Sequence, residues 1–230
     1  DRLLVLNTEE SEDELYYGTG FVSGEAKIEG YTDNLTINVD GKTEAGTVFN
    51  IPLNDSESFG DNSYIKFLSP EDKKNRAEGN VTSQTEIKGL NLEFNLEVTP
   101  NAEIEIVIDK DSGSTIKGRG NGNLGIYINT NGKFEMFGDF IVSEGTYKFK
   151  YGAIIEKLFT VEEGGYINWD GEPLNAEINL KALYATTANP SALLDAPINR
   201  SIPVNLEINL TGRLEKPDPD FTFEFPNVDS

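Results

Sequence analysis

The chain has 230 residues and carries 40 Asp and Glu against 19 Lys and Arg, a formal net charge of −21. It contains neither Cys nor His, which removes disulfides, thiolate nucleophiles, imidazole bases and the usual zinc ligands together. Such a charge repels nucleic acid and anionic bilayer surfaces, yet leaves open a neutral or apolar ligand held inside.

No run approaches the ~20 apolar residues of a membrane helix, and the first residue is Asp1. The chain therefore reads as a segment of a longer protein, with any targeting or anchoring element outside it. Residues 1–53 are expected to be N-terminal strands, with Asp40-Gly41 as a turn or bulge among them. Residues 54–89 read as a polar excursion. There Asp55, Ser56, Ser58 and Asp61 and the charged stretch 71–80 flank a short strand over 64–68. Residues 90–230 are the main segment, continuous with the first strands in one domain.

Alternation with period two dominates this segment. Leu90, Leu92, Phe94, Leu96 and Val98 are apolar with polar residues between them, and Ile104, Ile106 and Ile108 repeat the pattern. Next come Leu124, Ile126 and Ile128, then Phe134 and Met136, then Tyr147 and Phe149 with Lys148 and Lys150 on the other face. Later runs are Ala176, Ile178, Leu180, Ala182 and Tyr184, then Val204, Leu206, Ile208 and Leu210, and finally Phe221, Phe223 and Phe225. Strands of this kind carry one apolar and one wet face, as in antiparallel sheet solvated on one side. The turn signals are Asn131-Gly132, Ser143-Glu144-Gly145, residues 162–165 and Asp170-Gly171. Residues 190–194 would make at most a single helical turn.

The chemical motifs are thin. Asp109, Asp111 and Gly113 have the look of a calcium loop, but the position of the twelfth ligand is Gly120. Residues 118–122 (GRGNG) lack the ending of a phosphate loop and fit a bulge or close backbone approach. Asp139, Glu144 and Glu172 are the carboxylates to test for acid/base work, although no spacing singles out a pair. Trp169, the one tryptophan, would suit sugar stacking or packing.

Several stretches together resemble the C-terminal region of the TamB family (translocation and assembly module), in the form seen in Bacteroidota-like sequences. They are residues 46–53 (GTVFNIPL), 89–100 (GLNLEFNLEVTP), 116–124 (IKGRGNGNL), 129–139 (NTNGKFEMFGD) and 144–149 (EGTYKF). Residues 164–176 (GGYINWDGEPLNA), 202–204, 210–217 (LTGRLEKP) and 221–226 continue the set. The resemblance, which extends in build to AsmA-like bridge-type lipid transfer proteins, implies an all-β fold: an elongated, curled, mostly antiparallel sheet, a β-taco with an open groove and an apolar interior. It implies a periplasmic place in the cell envelope and a full-length protein anchored in the inner membrane by a segment absent here. It also implies an outer-membrane barrel partner of TamA or BamA type, with roles in moving phospholipid acyl chains and assembling outer-membrane proteins. The family supplies no catalytic residues and no cofactor.

On that reading the groove is lined by Leu92, Phe94, Leu96, Ile104, Ile106, Leu124, Ile126, Ile128, Phe134, Met136, Tyr147, Phe149, Ile178, Leu180, Leu206, Ile208, Phe221 and Phe223, chosen by parity. About fourteen strands at ~4.8 Å would make it roughly 65 Å long. The alternatives are a scaffold that pairs client strands at its sheet edges, an extracellular carbohydrate-binding or adhesive module using Trp169, and an acid-paired glycosidase.

Overall fold

Strands with one apolar face must pair side by side and cover that face together. A computed structural model describes residues 2–11, 16–31, 34–52, 89–109, 112–129, 133–151, 154–189 and 200–226. These residues form one mixed sheet of thirteen strands that curls without closing into a barrel. The strands are β1 (Leu3–Thr8), β2 (Tyr17–Tyr31), β3 (Asn34–Thr43), β4 (Val48–Pro52), β5 (Leu90–Val98), β6 (Glu103–Asp109) and β7 (Ser114–Asn129). They continue as β8 (Phe134–Tyr151), β9 (Ile155–Val161), β10 (Tyr166–Gly171), β11 (Glu177–Ala188), β12 (Ile202–Arg213) and β13 (Lys216–Glu224).

Several short strands are halves of one rung. β3 and β4 pair in turn with the later and earlier parts of β2. β5 and β6 then run parallel to β3 and β4 in a common register, Leu35 beside Leu90 and Val48 beside Glu103. β9 and β10 likewise share β8, facing its last and first residues respectively. Counted as rungs, the sheet is ten strands wide, or ~43 Å across its hydrogen-bonding direction. That is shorter than the roughly 65 Å expected from fourteen separate strands, because a strand broken in the middle adds no width.

Parallel pairing of β3 with β5 and of β4 with β6 explains the length of the polar excursion. Antiparallel neighbours can be joined by two residues, whereas parallel neighbours need a crossover. Residues 53–88 span that connection; they lie outside the described residues, as does the strand expected over 64–68. The turn at 130–132 and the helical turn at 190–194 also fall outside them.

The breaks within rungs line up across the sheet. The ladder is interrupted at residues 44–47 between β3 and β4, at 99–102 between β5 and β6, at Ser143 in β8, and at 162–165 between β9 and β10. Side-chain hydroxyls replace the missing ladder bonds. Thr99 N donates to Thr43 Oγ1 at 2.9 Å and Thr99 Oγ1 to Thr43 O at 2.9 Å, while Phe21 N donates to Thr47 Oγ1 at 3.0 Å. Along this line the sheet bends into two leaves. Tyr16 bridges them at one end, its ring 5.4 Å from Phe49 on β4 and 5.0 Å from Phe134 on β8. From β11 to β13 the ladder runs unbroken.

One expected turn is absent. Ser143-Glu144-Gly145 does not reverse the chain. β8 is one strand in which Arg119 faces Glu144 and Gly120 faces Val142, leaving Ser143 as a bulge. A bulge flips the alternation just as a turn does, so Phe134 to Val142 face the core at even positions and Tyr147 and Phe149 at odd ones. Residues 162–165 hold the expected turn, which joins two strands running the same way and so closes no hairpin. Asp40-Gly41 lies inside β3, where a Cβ on Gly41 would stand 2.6 Å from Ser23 O.

Candidate functional site: the concave face

Directly opposed residues in neighbouring strands share a face. The register therefore decides which side chains point inward. Leu92 faces Ile128, Phe94 faces Ile126 and Leu96 faces Leu124. Ile126 in turn faces Met136, and Ile128 faces Phe134. On the other leaf Ile106 faces Ile116, which faces Tyr147, which faces Phe159. Ile104 pairs with Gly118 and Phe149 with Lys157 on the same side. Ile178 stands beside Ile167, Leu180 beside Leu210, Leu206 beside Tyr184 and Phe223, and Ile208 beside Phe221. All eighteen residues proposed from parity point to one side of the sheet.

Their surroundings differ. Ile104, Ile106, Leu124, Ile128, Phe134, Met136, Tyr147, Ile178, Leu180 and Ile208 are buried in a single cluster. Leu92, Ile126, Phe149 and Leu206 are half-buried against it, and Phe94 and Leu96 are half-buried on the same face. Phe221 and Phe223 lie on the edge strand β13 and are exposed. The middle of the concave face is filled by its own side chains. Ile104, Ile106 and Ile116 of one leaf and Phe140, Ile167 and Leu180 of the other enclose a cavity of about 10 Å³, barely the space of one water.

Parity alone missed half of this lining. Phe140 and Val142 continue the even positions beyond Met136, and Phe159, Val161, Ile167 and Trp169 complete the odd ones on β9 and β10. On the first rungs Ile28, Ile37 and Val39 stand in register with Leu92 and Phe94. The signal in those stretches was the same alternation, interrupted by Gly and by charged neighbours.

One end of the interior is aromatic. The Tyr147 ring lies 5.9 Å from Phe149 and 6.1 Å from Phe159, and Phe149 reaches across to Phe221 at 6.1 Å. Burial pushes the Tyr147 phenol up to about 12, so it stays neutral at any physiological pH. At the rim Lys157 Nζ donates to Tyr184 Oη at 3.2 Å and sits 5.0 Å from that ring's centroid. This hydrogen bond holds the Tyr184 phenol below its ordinary range.

The convex face is largely polar and ion-paired, with Tyr127, Phe137, Ile141 and Leu158 exposed among the charges. Lys117 bonds Glu103 and Glu105 at 3.3 and 3.2 Å, Lys42 bonds Glu97 at 2.7 Å, and Lys133 bonds Glu135 at 2.9 Å. Of the carboxylates singled out for acid/base work, each is exposed with a partner of its own. Asp139 accepts from Asn168, Glu144 lies 4.0 Å from Arg119, and Glu172 accepts from Asn175 at 2.8 Å. No group of three or more acidic residues among the described ones is placed to hold a metal. Of the two readings of Trp169, the structure shows packing and not an exposed stacking surface. It is 2% exposed, its indole donates to Pro173 O at 3.1 Å, and it stands opposite Gly138.

The model of the TamB C-terminal domain family matches residues 1–230, the whole chain. A search of curated proteins returned no match. The chain belongs to the TamB family, a cell-envelope family with a role in outer-membrane assembly or lipid transport and association with TamA-type outer-membrane proteins. It is a structural or transport family and not a known enzyme family. Among the described residues no helix is long and apolar enough to cross a membrane.

Proposed function

We propose that the concave face carries phospholipid acyl chains along the sheet toward the outer membrane, and that it does so as part of a periplasm-spanning protein working with a barrel of TamA or BamA type. The observation that carries this reading is the continuous apolar face running from β2 to β13, with a largely polar, ion-paired reverse. An acyl chain leaving water for such a face gains ~0.8 kcal/mol per CH₂, or ~8 kcal/mol for ten methylenes. The filled middle is compatible with transport. Replacing side-chain contacts by acyl contacts exchanges hydrocarbon for hydrocarbon, so parting the leaves over a bound chain costs little net free energy. The half-buried Leu92, Phe94, Ile126 and Phe149 are where a chain would first engage. A face with no buried charge offers no deep polar well in which a headgroup would stall.

A photoreactive residue at Phe94 or Ile126, with the outward-facing Asn95 and Tyr127 as controls, tests this in cells. Covalent lipid at the inward positions alone is the expected result. Protein adducts without lipid would overturn it in favour of a strand-pairing scaffold. That second reading rests on the free edge of β2, where β1 covers only residues 18–22 and leaves 23–31 without a neighbour on that side among the described residues.

A further inference from the structure

The register sorts the charged side chains by face, and one strand breaks the rule. On β9, Lys157 stands opposite Phe149 and two residues before Phe159, both of which point inward. Among the described strand side chains it is the only charged one that the ladder places on the concave face. Lys42, Lys117, Lys133, Lys148, Lys150 and Lys181 are ion-paired on the convex side. Lys157 has no carboxylate partner among the described residues, and its hydrogen bond goes to Tyr184 Oη at 3.2 Å. An ammonium has three donors, so two are left for a ligand. The bridge to Tyr184 spans a split in the sheet. β11 pairs with β9 only at Ala182 and Leu183, and from Tyr184 to Ala188 it pairs with β12 alone among the described residues. No ladder bond has to break for the ammonium to turn to another partner.

The surroundings of this ammonium are hydrocarbon. Phe149 and Leu206 are half-buried, Phe221 and Phe223 are exposed, and the rings of Phe149 and Phe221 lie 6.1 Å apart. Leu206 stands between Tyr184 and Phe223 in the ladder. An ammonium with free donors beside accessible hydrocarbon fits an amphiphile with an anion at its head. We propose that Lys157 takes the phosphate of a phospholipid whose acyl chains lie on Phe149, Leu206, Phe221 and Phe223, and so biases the concave face toward anionic phospholipids. The bias follows from charge. In phosphatidylcholine the choline cation competes for the same phosphate, whereas phosphatidylglycerol carries no such competitor. Lys157 is exposed, so the contact is solvated: it selects among lipids without holding one against movement along the face. The proposal deepens the conduit reading and rests on it.

The test is to incubate the purified chain with vesicles of equimolar phosphatidylcholine and phosphatidylglycerol, separate the two, and count the lipids carried off by mass spectrometry. Phosphatidylglycerol should be enriched over the vesicle ratio by about two- to fivefold, the worth of one solvent-exposed charge pair. Lys157→Met should return the ratio to that of the vesicles with total lipid per chain unchanged, and Lys157→Arg should keep the enrichment. Tyr184→Phe breaks the bridge and spares the ammonium, so it should keep the enrichment too. Enrichment that survives Lys157→Met, or that Tyr184→Phe abolishes equally, would overturn the proposal, the second by assigning the effect to the bridge between β9 and β11. Lipid carried without any headgroup preference would remove the phosphate site and leave the conduit. No lipid on the parent chain would overturn both.

Discussion

Ile208 on β12 and Ile28 on β2 are the same residue type on the same face of one sheet, yet Ile208 is 0% exposed and Ile28 is 68% exposed. Around Ile208 the sheet curls until β13 approaches β8, and Phe149 and Phe221 meet across the interior. Around Ile28 no other part of the described chain lies over the face. Alternation fixes which side of a strand is apolar; whether that side is covered depends on how far the sheet bends.

The sharpest way to break this comparison is to truncate both residues. Ile208→Ala is expected to cost ~2–5 kcal/mol, transfer and cavity terms together. Ile28→Ala should cost under ~0.5 kcal/mol in the isolated chain. Urea unfolding of the two variants checks it, and similar midpoints would mean that the β2 wing is covered in solution. Next in size is Gly138→Ala on β8. The residue has φ +113°, and a Cβ there would stand 1.9 Å from Asn123 O. About 2–3 kcal/mol is expected, with a parallel loss of near-ultraviolet signal from Trp169 opposite. Gly164→Ala, at φ +91° with nothing within 4 Å, should cost only about 1 kcal/mol.

Much of the fold was legible because period two survives in most rungs. The unseen part follows from two physical causes. A bulge and a turn both invert parity, and nothing in the residues 142–145 (VSEG) separates them without knowing what lies opposite. Rung halves such as β5 and β6 look like independent strands, since the register that joins them is set by β3, β4 and β7, far off in sequence. Parity picked the inward side of the strands it was applied to, whereas Trp169 stayed open between stacking and packing, since its turn-rich surroundings hide that it shares the inward side of β10 with Ile167.

The line of breaks between the leaves is a weaker but more specific target. Thr99→Val keeps the shape of the side chain and removes its hydrogen bond to Thr43 O, which is 2.9 Å long. A loss of ~1 kcal/mol is expected. Faster amide exchange confined to residues 43–47 and 99–103 would show that this row holds the bend. Protection lost evenly over the sheet would mean that the bend is set by core packing instead.

The smallest effect concerns the unbroken part of the sheet. Lys181 and Glu207 lie 2.6 Å apart on the convex side of β11 and β12. The hydrogen bond from Lys181 holds the Glu207 carboxyl below its ordinary range, and the same bond raises Lys181. A carboxyl depressed by folding stabilises the native state above its unfolded value, about pH 4.3 for Glu. That contribution fades as pH falls through the lower folded value. The raised lysine contributes below about pH 10.4 and loses its contribution as pH rises through the higher folded value. Glu207→Gln should therefore lower Tm slightly at pH 7 and converge with the parent chain only once pH has fallen through the lowered folded value, below which both carry a neutral side chain. Because Lys181 is solvated, the gap should also close in high salt. Melting curves that stay parallel down to pH 3 would assign the loss to altered packing at this half-hidden position, and the ion pair would then contribute nothing to the continuity of β11 with β12.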